Sequence, residues 1–145
     1  LGNIIGNPLE TTIFFSQLIN DGTLDKFPNL RVIGAHGGGY LPSYLGRTDV
    51  ACDVRGGSNC LNKKKPSEYF KDQLLVDAMV FSGEDVRHLV AKSGPTQVVY
   101  GTDIPIYNWP DAVQFILEAE LPNATKEMIL GGNLTKLLKL EPFRA

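Results

Sequence analysis

Val32-Ile33-Gly34-Ala35-His36-Gly37-Gly38-Gly39 decides how the chain is read. The apolar run predicts a short buried strand, and a histidine ends it. The three glycines that follow carry no side chains. The backbone there can take φ > 0 and approach another molecule closely. A histidine at the C-terminal end of a strand stands where α/β sheets and barrels bind their ligands.

Upstream, residues 1–9 are rich in Gly, Asn and Pro and predict a loop. A helix is expected from about Glu10, with Ile13, Phe14, Leu18 and Ile19 as its apolar stripe and Asp21-Gly22 as its stop. A short helical turn follows, with Leu24 and Phe27 facing inward, and Pro28 closes it. The strand itself is expected over 31–35. Downstream, a helix over 40–50 precedes a polar loop over 53–66 and a helical turn over 67–71. A second strand over 73–78 is centred on Leu74-Leu75-Val76, and Ser82 caps the next helix, which Gly94-Pro95 stops. A third strand over 97–100 runs into Gly101-Thr102-Asp103. Helices are then expected from Trp109-Pro110 to Glu120, over 124–130 with Asn123 as cap, and from Gly131-Gly132-Asn133 onward.

Helices alternating with three short apolar strands predict an α/β fold with parallel strands and right-handed crossovers. The pattern fits a small doubly wound sheet or one side of a (β/α)8 barrel, which needs about 250 residues.

The 145 residues carry a net charge of −2, which excludes the clustered basic surface of a nucleic-acid binder. The one basic run, Lys63-Lys64-Lys65, stops at Pro66 and reads as a solvated loop. No apolar stretch is long enough to span a bilayer. Cys52 and Cys60 are too few for a disulfide framework and are expected to be free thiols of a cytoplasmic protein.

His-Gly-Gly-Gly also occurs as an oxyanion-hole loop, but that reading needs a Gly-x-Ser-x-Gly elbow, which the sequence lacks. Leu41-Pro42 breaks the spacing of a dinucleotide fingerprint. His88, between Arg87 and Leu89, is expected to be a surface or half-buried residue of its helix.

His36 after strand one and Asp103 after strand three would meet on one rim, with Asp77 at the end of strand two as a third candidate. A histidine and an aspartate on such a rim suit a metal ion or a general acid/base pair. The competing reading is structural: His36 bonding a backbone carbonyl and Asp103 capping the turn before Pro105.

Further residues bear on this choice. They are Pro8-Leu9-Glu10-Thr11-Thr12, Phe27-Pro28-Asn29-Leu30-Arg31-Val32-Ile33, Ala35-His36-Gly37-Gly38-Gly39, Leu41-Pro42, Gly46-Arg47, Tyr100-Gly101-Thr102-Asp103-Ile104-Pro105 and Gly132-Asn133. Together they resemble the amidohydrolase-related (amidohydrolase 2) family of metal-dependent decarboxylases, which includes the aminocarboxymuconate-semialdehyde decarboxylases. The resemblance covers essentially residues 1–145 and implies the C-terminal portion, about three βα units, of a (β/α)8 TIM barrel. It implies one divalent ion, zinc or manganese, and a carboxy-lyase acting on an aromatic or unsaturated carboxylic acid.

It further implies that His36 is catalytic, that Asp103 is both a metal ligand and a proton carrier, and that Arg55 binds a substrate carboxylate. The His-x-His or Glu-x-His pair of the family's first strand, and its further histidine ligand, have no counterpart among these residues. A partial site is therefore expected, inactive alone. A small carboxylic acid would be the partner, without nucleic acid or membrane, in a homodimer or higher homo-oligomer. Two alternatives stand: a hydrolase of the same superfamily acting on a lactone or amide, and an inactive barrel fragment.

Overall fold

The computed structural model describes residues 1–54, 60–104 and 112–141. Three parallel strands, β1 (Val32–Gly34), β2 (Leu74–Asp77) and β3 (Val98–Val99), lie in the order β1-β2-β3. Ile33 pairs with Leu75, and Asp77 with Val99. Each crossover carries helix: α3 (Leu41–Val54) and α4 (Pro66–Tyr69) between β1 and β2, and α5 (Gly83–Ser93) between β2 and β3. Before β1 come α1 (Asn7–Asn20) and α2 (Thr23–Lys26), and after β3 come α6 (Ala112–Glu118), α7 (Asn123–Glu127) and α8 (Asn133–Leu138). Among the described residues, no helix is long and apolar enough to cross a membrane.

The core lies between one face of the sheet and the helices. Phe15 and Ile19, four residues apart on α1, are fully buried. The Phe15 ring stands edge-on to Phe70 at 5.5 Å and covers β1 at Gly34. A Cβ on Gly34 would come within 2.4 Å of that ring, so close packing of helix on strand demands glycine there. Leu74, Val76 and Val98 share this face of the sheet with Gly34 and are buried against Val86, Ile116 and Ile129.

Several expectations change. α1 begins at Asn7, led by a π-helical turn over Gly2–Gly6, because Pro8 is tolerated in a first turn. Its buried stripe is Phe15 and Ile19 rather than Ile13 and Phe14, which are about half exposed. The helix is apolar on two sides, and only one of them meets the sheet. Phe27 is likewise exposed, while Leu24 is buried as expected. β1 is less covered than a strand buried on both faces, since Ile33 is 44% exposed.

Gly131-Gly132 does not separate two helices. α7 passes through a π turn, Met128–Gly132, into α8. The buried Asn133 is the reason. Its side-chain amide donates to the Pro95 and Val98 carbonyls at 2.8 and 2.7 Å, which ties the helical run to the end of β3.

Cys52 and Cys60 are joined in a disulfide, not free. The chain returns beside α1, where the Leu61 amide donates to the Asn20 carbonyl at 2.6 Å, and this brings the two Cα atoms to 5.7 Å. The thiol argument for a reducing, cytoplasmic setting goes with that correction.

Candidate functional site

The strand-end turn is left-handed over four residues: His36 (φ 58°), Gly37 (62°), Gly38 (78°) and Gly39 (67°). A histidine gains nothing intrinsic from that region, which sterics reserve largely for glycine. Its partners hold it there. Asp77, at the end of the neighbouring strand, accepts from the His36 amide at 3.1 Å and from the Gly37 amide at 2.7 Å. The Met79 amide donates to the same carboxylate at 3.1 Å. Burial pushes the Asp77 carboxyl above the usual carboxylate range, while the three amides, that of Gly37 foremost, pull it down.

What approaches the glycines is the protein itself. A Cβ on Gly37 would come within 2.6 Å of the Val80 side chain, one on Gly38 within 2.6 Å of Val76, and one on Gly39 within 2.2 Å of the Pro8 carbonyl. The space expected to admit another molecule is filled from within the chain. The turn instead packs down on β2 and on the start of α1. Thr12 completes the seam, donating to the Pro8 carbonyl and accepting from the Tyr40 amide, both at 2.8 Å.

The His36 ring reaches Thr11, with Nδ1 at 3.4 Å from Oγ1. Thr11 directs its one hydroxyl hydrogen to the Asn7 carbonyl at 3.2 Å, so toward His36 it can only accept. With that hydrogen on the Asn7 carbonyl, the contact favours the tautomer protonated at Nδ1.

His36 and Asp103 line one pocket of about 500 Å³, walled by the N-terminal ends of α1, α3 and α5 and by the turn after β2. Asp103 is exposed, past the end of β3, and it too takes a positive φ of 56°. The two residues expected to act together therefore open onto the same space. His88 is half-buried on α5, as expected, but it also lines this pocket and meets the Ser43 hydroxyl at 3.2 Å. Arg55 and the Trp109-Pro110 helix start lie outside the described residues.

Among the described residues, no three His, Cys, Asp or Glu side chains converge as a metal ion requires. His36 and Asp103 are two donors in one pocket, and both Asp77 oxygens are engaged by backbone amides. The described residues do not make a metal site alone. Asp77 was a candidate from the sequence, but its bonds to the turn's amides, and the parts played by Thr11 and Thr12, were not. The one sequence signal for them was position: two threonines one turn after Pro8, and a carboxylate ending an apolar strand.

Comparison with known proteins places the chain. The amidohydrolase family profile (Amidohydro_2) matches residues 3–140. A curated relative, 2-amino-3-carboxymuconate-6-semialdehyde decarboxylase of Dictyostelium discoideum, is 33% identical over 142 residues, covering 96% of this chain and 39% of that protein. The crystal structure of 5-carboxyvanillate decarboxylase from Sphingomonas paucimobilis superposes with a TM-score of 0.83 at 30% identity, over 92% of this chain and 41% of that one. Dihydroxybenzoic acid decarboxylase from Polaromonas sp., solved with bound manganese and the inhibitor 2-nitroresorcinol, gives 0.82 at 25% identity, over 95% and 42%. The chain spans about two fifths of the length of the proteins it matches, and its three strands with their helices are a portion of the amidohydrolase-type (β/α)8 barrel. With the family profile matched over nearly all of its length, this chain belongs to the amidohydrolase family.

Proposed function

We propose that the chain forms part of the active site of a metal-dependent, non-oxidative decarboxylase acting on an aromatic or unsaturated carboxylic acid. One observation carries the reading. His36 is held at the strand end by Asp77, in a pocket of about 500 Å³ that Asp103 also lines. The volume is that of a small-molecule site. The decarboxylases similar to this chain support the reaction class.

In this reading His36 Nε2 accepts a hydrogen bond from a substrate hydroxyl and raises electron density in the conjugated system. The bond to the carboxylate carbon breaks, its electron pair stays with the conjugated carbon, and carbon dioxide leaves. Asp103 takes up the proton of the substrate's carboxyl group and then delivers it to that carbon. Arg55 pairs with a carboxylate of the substrate. The reading includes one divalent ion, manganese or zinc, with Asp103 as the ligand this chain supplies, and a homo-oligomeric assembly.

The test is carbon dioxide release from 2,6-dihydroxybenzoate, 5-carboxyvanillate and an unsaturated amino-dicarboxylic acid, using the protein that carries this sequence, supplied with manganese or zinc. Release from one acid, lost on His36→Ala and Asp103→Asn, is expected. Hydrolysis of a lactone or amide without carbon dioxide release from any acid would overturn the reading.

A further inference from the structure

His36 sits at a positive φ that residues other than glycine take uncommonly, and Asp77 and Thr11 meet its backbone and its ring respectively. Asp77 takes the His36 and Gly37 amides on its two separate oxygens, at 3.1 and 2.7 Å. These two bonds clamp consecutive amides of the turn on one carboxylate. Thr11 meets the ring from the other side, and its hydroxyl hydrogen is already committed to the Asn7 carbonyl. We infer that Asp77 and Thr11 are positioning residues for His36: Asp77 holds the backbone of the turn, and Thr11 sets which ring nitrogen carries the proton.

The two are separable by chemistry. Asparagine at 77 keeps the shape but offers one acceptor oxygen, and its amide nitrogen then faces a backbone N–H as donor against donor. The turn must give up one of its two bonds. Alanine at 11 removes the acceptor beside Nδ1 without touching the turn, whereas serine restores it.

Their consequence for catalysis rests on the proposed decarboxylation, but the geometric claim does not. Ring nitrogen and backbone amide NMR signals of His36 are therefore measured on the 145-residue chain. In the unsubstituted chain Nδ1 is expected in the protonated range and Nε2 in the unprotonated range. Asp77→Asn is expected to shift the His36 and Gly37 amides upfield while the amides of Phe15 and Ile19 stay in place. Thr11→Ala is expected to mix the two ring tautomers, and Thr11→Ser to restore one.

With the protein that carries this sequence and a substrate identified by carbon dioxide release, kcat is expected to fall about 10- to 100-fold in Asp77→Asn, with KM little changed. Unchanged His36 signals in both Asp77→Asn and Thr11→Ala would overturn the inference. So would loss of all native signals in Asp77→Asn together with an unchanged ring in Thr11→Ala. Absence of activity toward every acid would count against the decarboxylase reading and leave the NMR result to decide positioning.

Discussion

Replacing Gly39 by alanine is expected to destabilise the chain by about 2–5 kcal/mol, whereas the same change at Gly46 is expected to stabilise it. Gly39 has φ 67° and ψ −139°, a region that residues with a Cβ scarcely enter. Forcing alanine into it costs about 1–3 kcal/mol. The new Cβ would lie 2.2 Å from the Pro8 carbonyl oxygen and 2.5 Å from Thr12 Oγ1. The first of these is backbone and cannot rotate away. The start of α1 must shift, and the bond from the Tyr40 amide to Thr12 breaks, adding about 1–2 kcal/mol. Gly46 lies inside α3 with nothing within 4 Å of its would-be Cβ, so alanine there gains about 1 kcal/mol of helix propensity. Urea titration followed by circular dichroism reads both. With a slope of about 2 kcal/mol per molar, Gly39→Ala lowers the midpoint by about 2 M and Gly46→Ala raises it by about 0.5 M. Two substitutions shifting the midpoint alike, in either direction, would refute the argument from the turn.

Tyr69 is fully buried, donates to Asp25 at 2.7 Å, and has its phenol pushed up to about 12 by burial and then by that bond. A raised pKa stabilises the fold in full below pH 10, and the contribution is lost as pH rises through 12. It is about 1–2 kcal/mol once screening near exposed Lys64 is allowed for, and Tyr69→Phe should flatten the alkaline limb of a stability–pH curve relative to the unsubstituted chain. Asn133→Ala leaves the Pro95 and Val98 carbonyls without their buried donor and should cost about 2–4 kcal/mol in the same urea assay. Ser93 Oγ is buried without a hydrogen-bond partner among the described residues, so Ser93→Ala should raise the thermal midpoint, by about 1 kcal/mol in stability. Reducing the Cys52–Cys60 bond opens a loop of eight-residue separation and should cost about 2–3 kcal/mol, read as the change in urea midpoint with and without dithiothreitol.

The strands, their parallel order and the strand-end position of His36 were legible in the sequence. Each rests on local signals: short apolar runs, glycine and proline stops, and the Ser82 cap, whose hydroxyl does accept from the Asp85 amide. That His36 and Asp103 would open onto one pocket was legible for a topological reason, since parallel strands in sequence order put their C-terminal ends on one rim. Less was legible about α1. Its apolar residues occupy two faces, and nothing local says which one meets the sheet; the Phe15 ring over Gly34 decided that. The disulfide was misread for the same reason, because a return of the chain past Asn20, not the spacing of eight, brings Cys52 to Cys60.

The sequence by itself determined that His36 ends a strand and that three glycines free the turn behind it. Only the tertiary structure decided what the freedom is for. Local sterics permit many conformations at a triple glycine. Contacts with β2 and α1 select one, in which Val80, Val76 and Pro8 fill the space the missing side chains leave. Asp77, forty-one residues after His36, then clamps the amides of the turn, and Thr11, twenty-five before it, meets the ring.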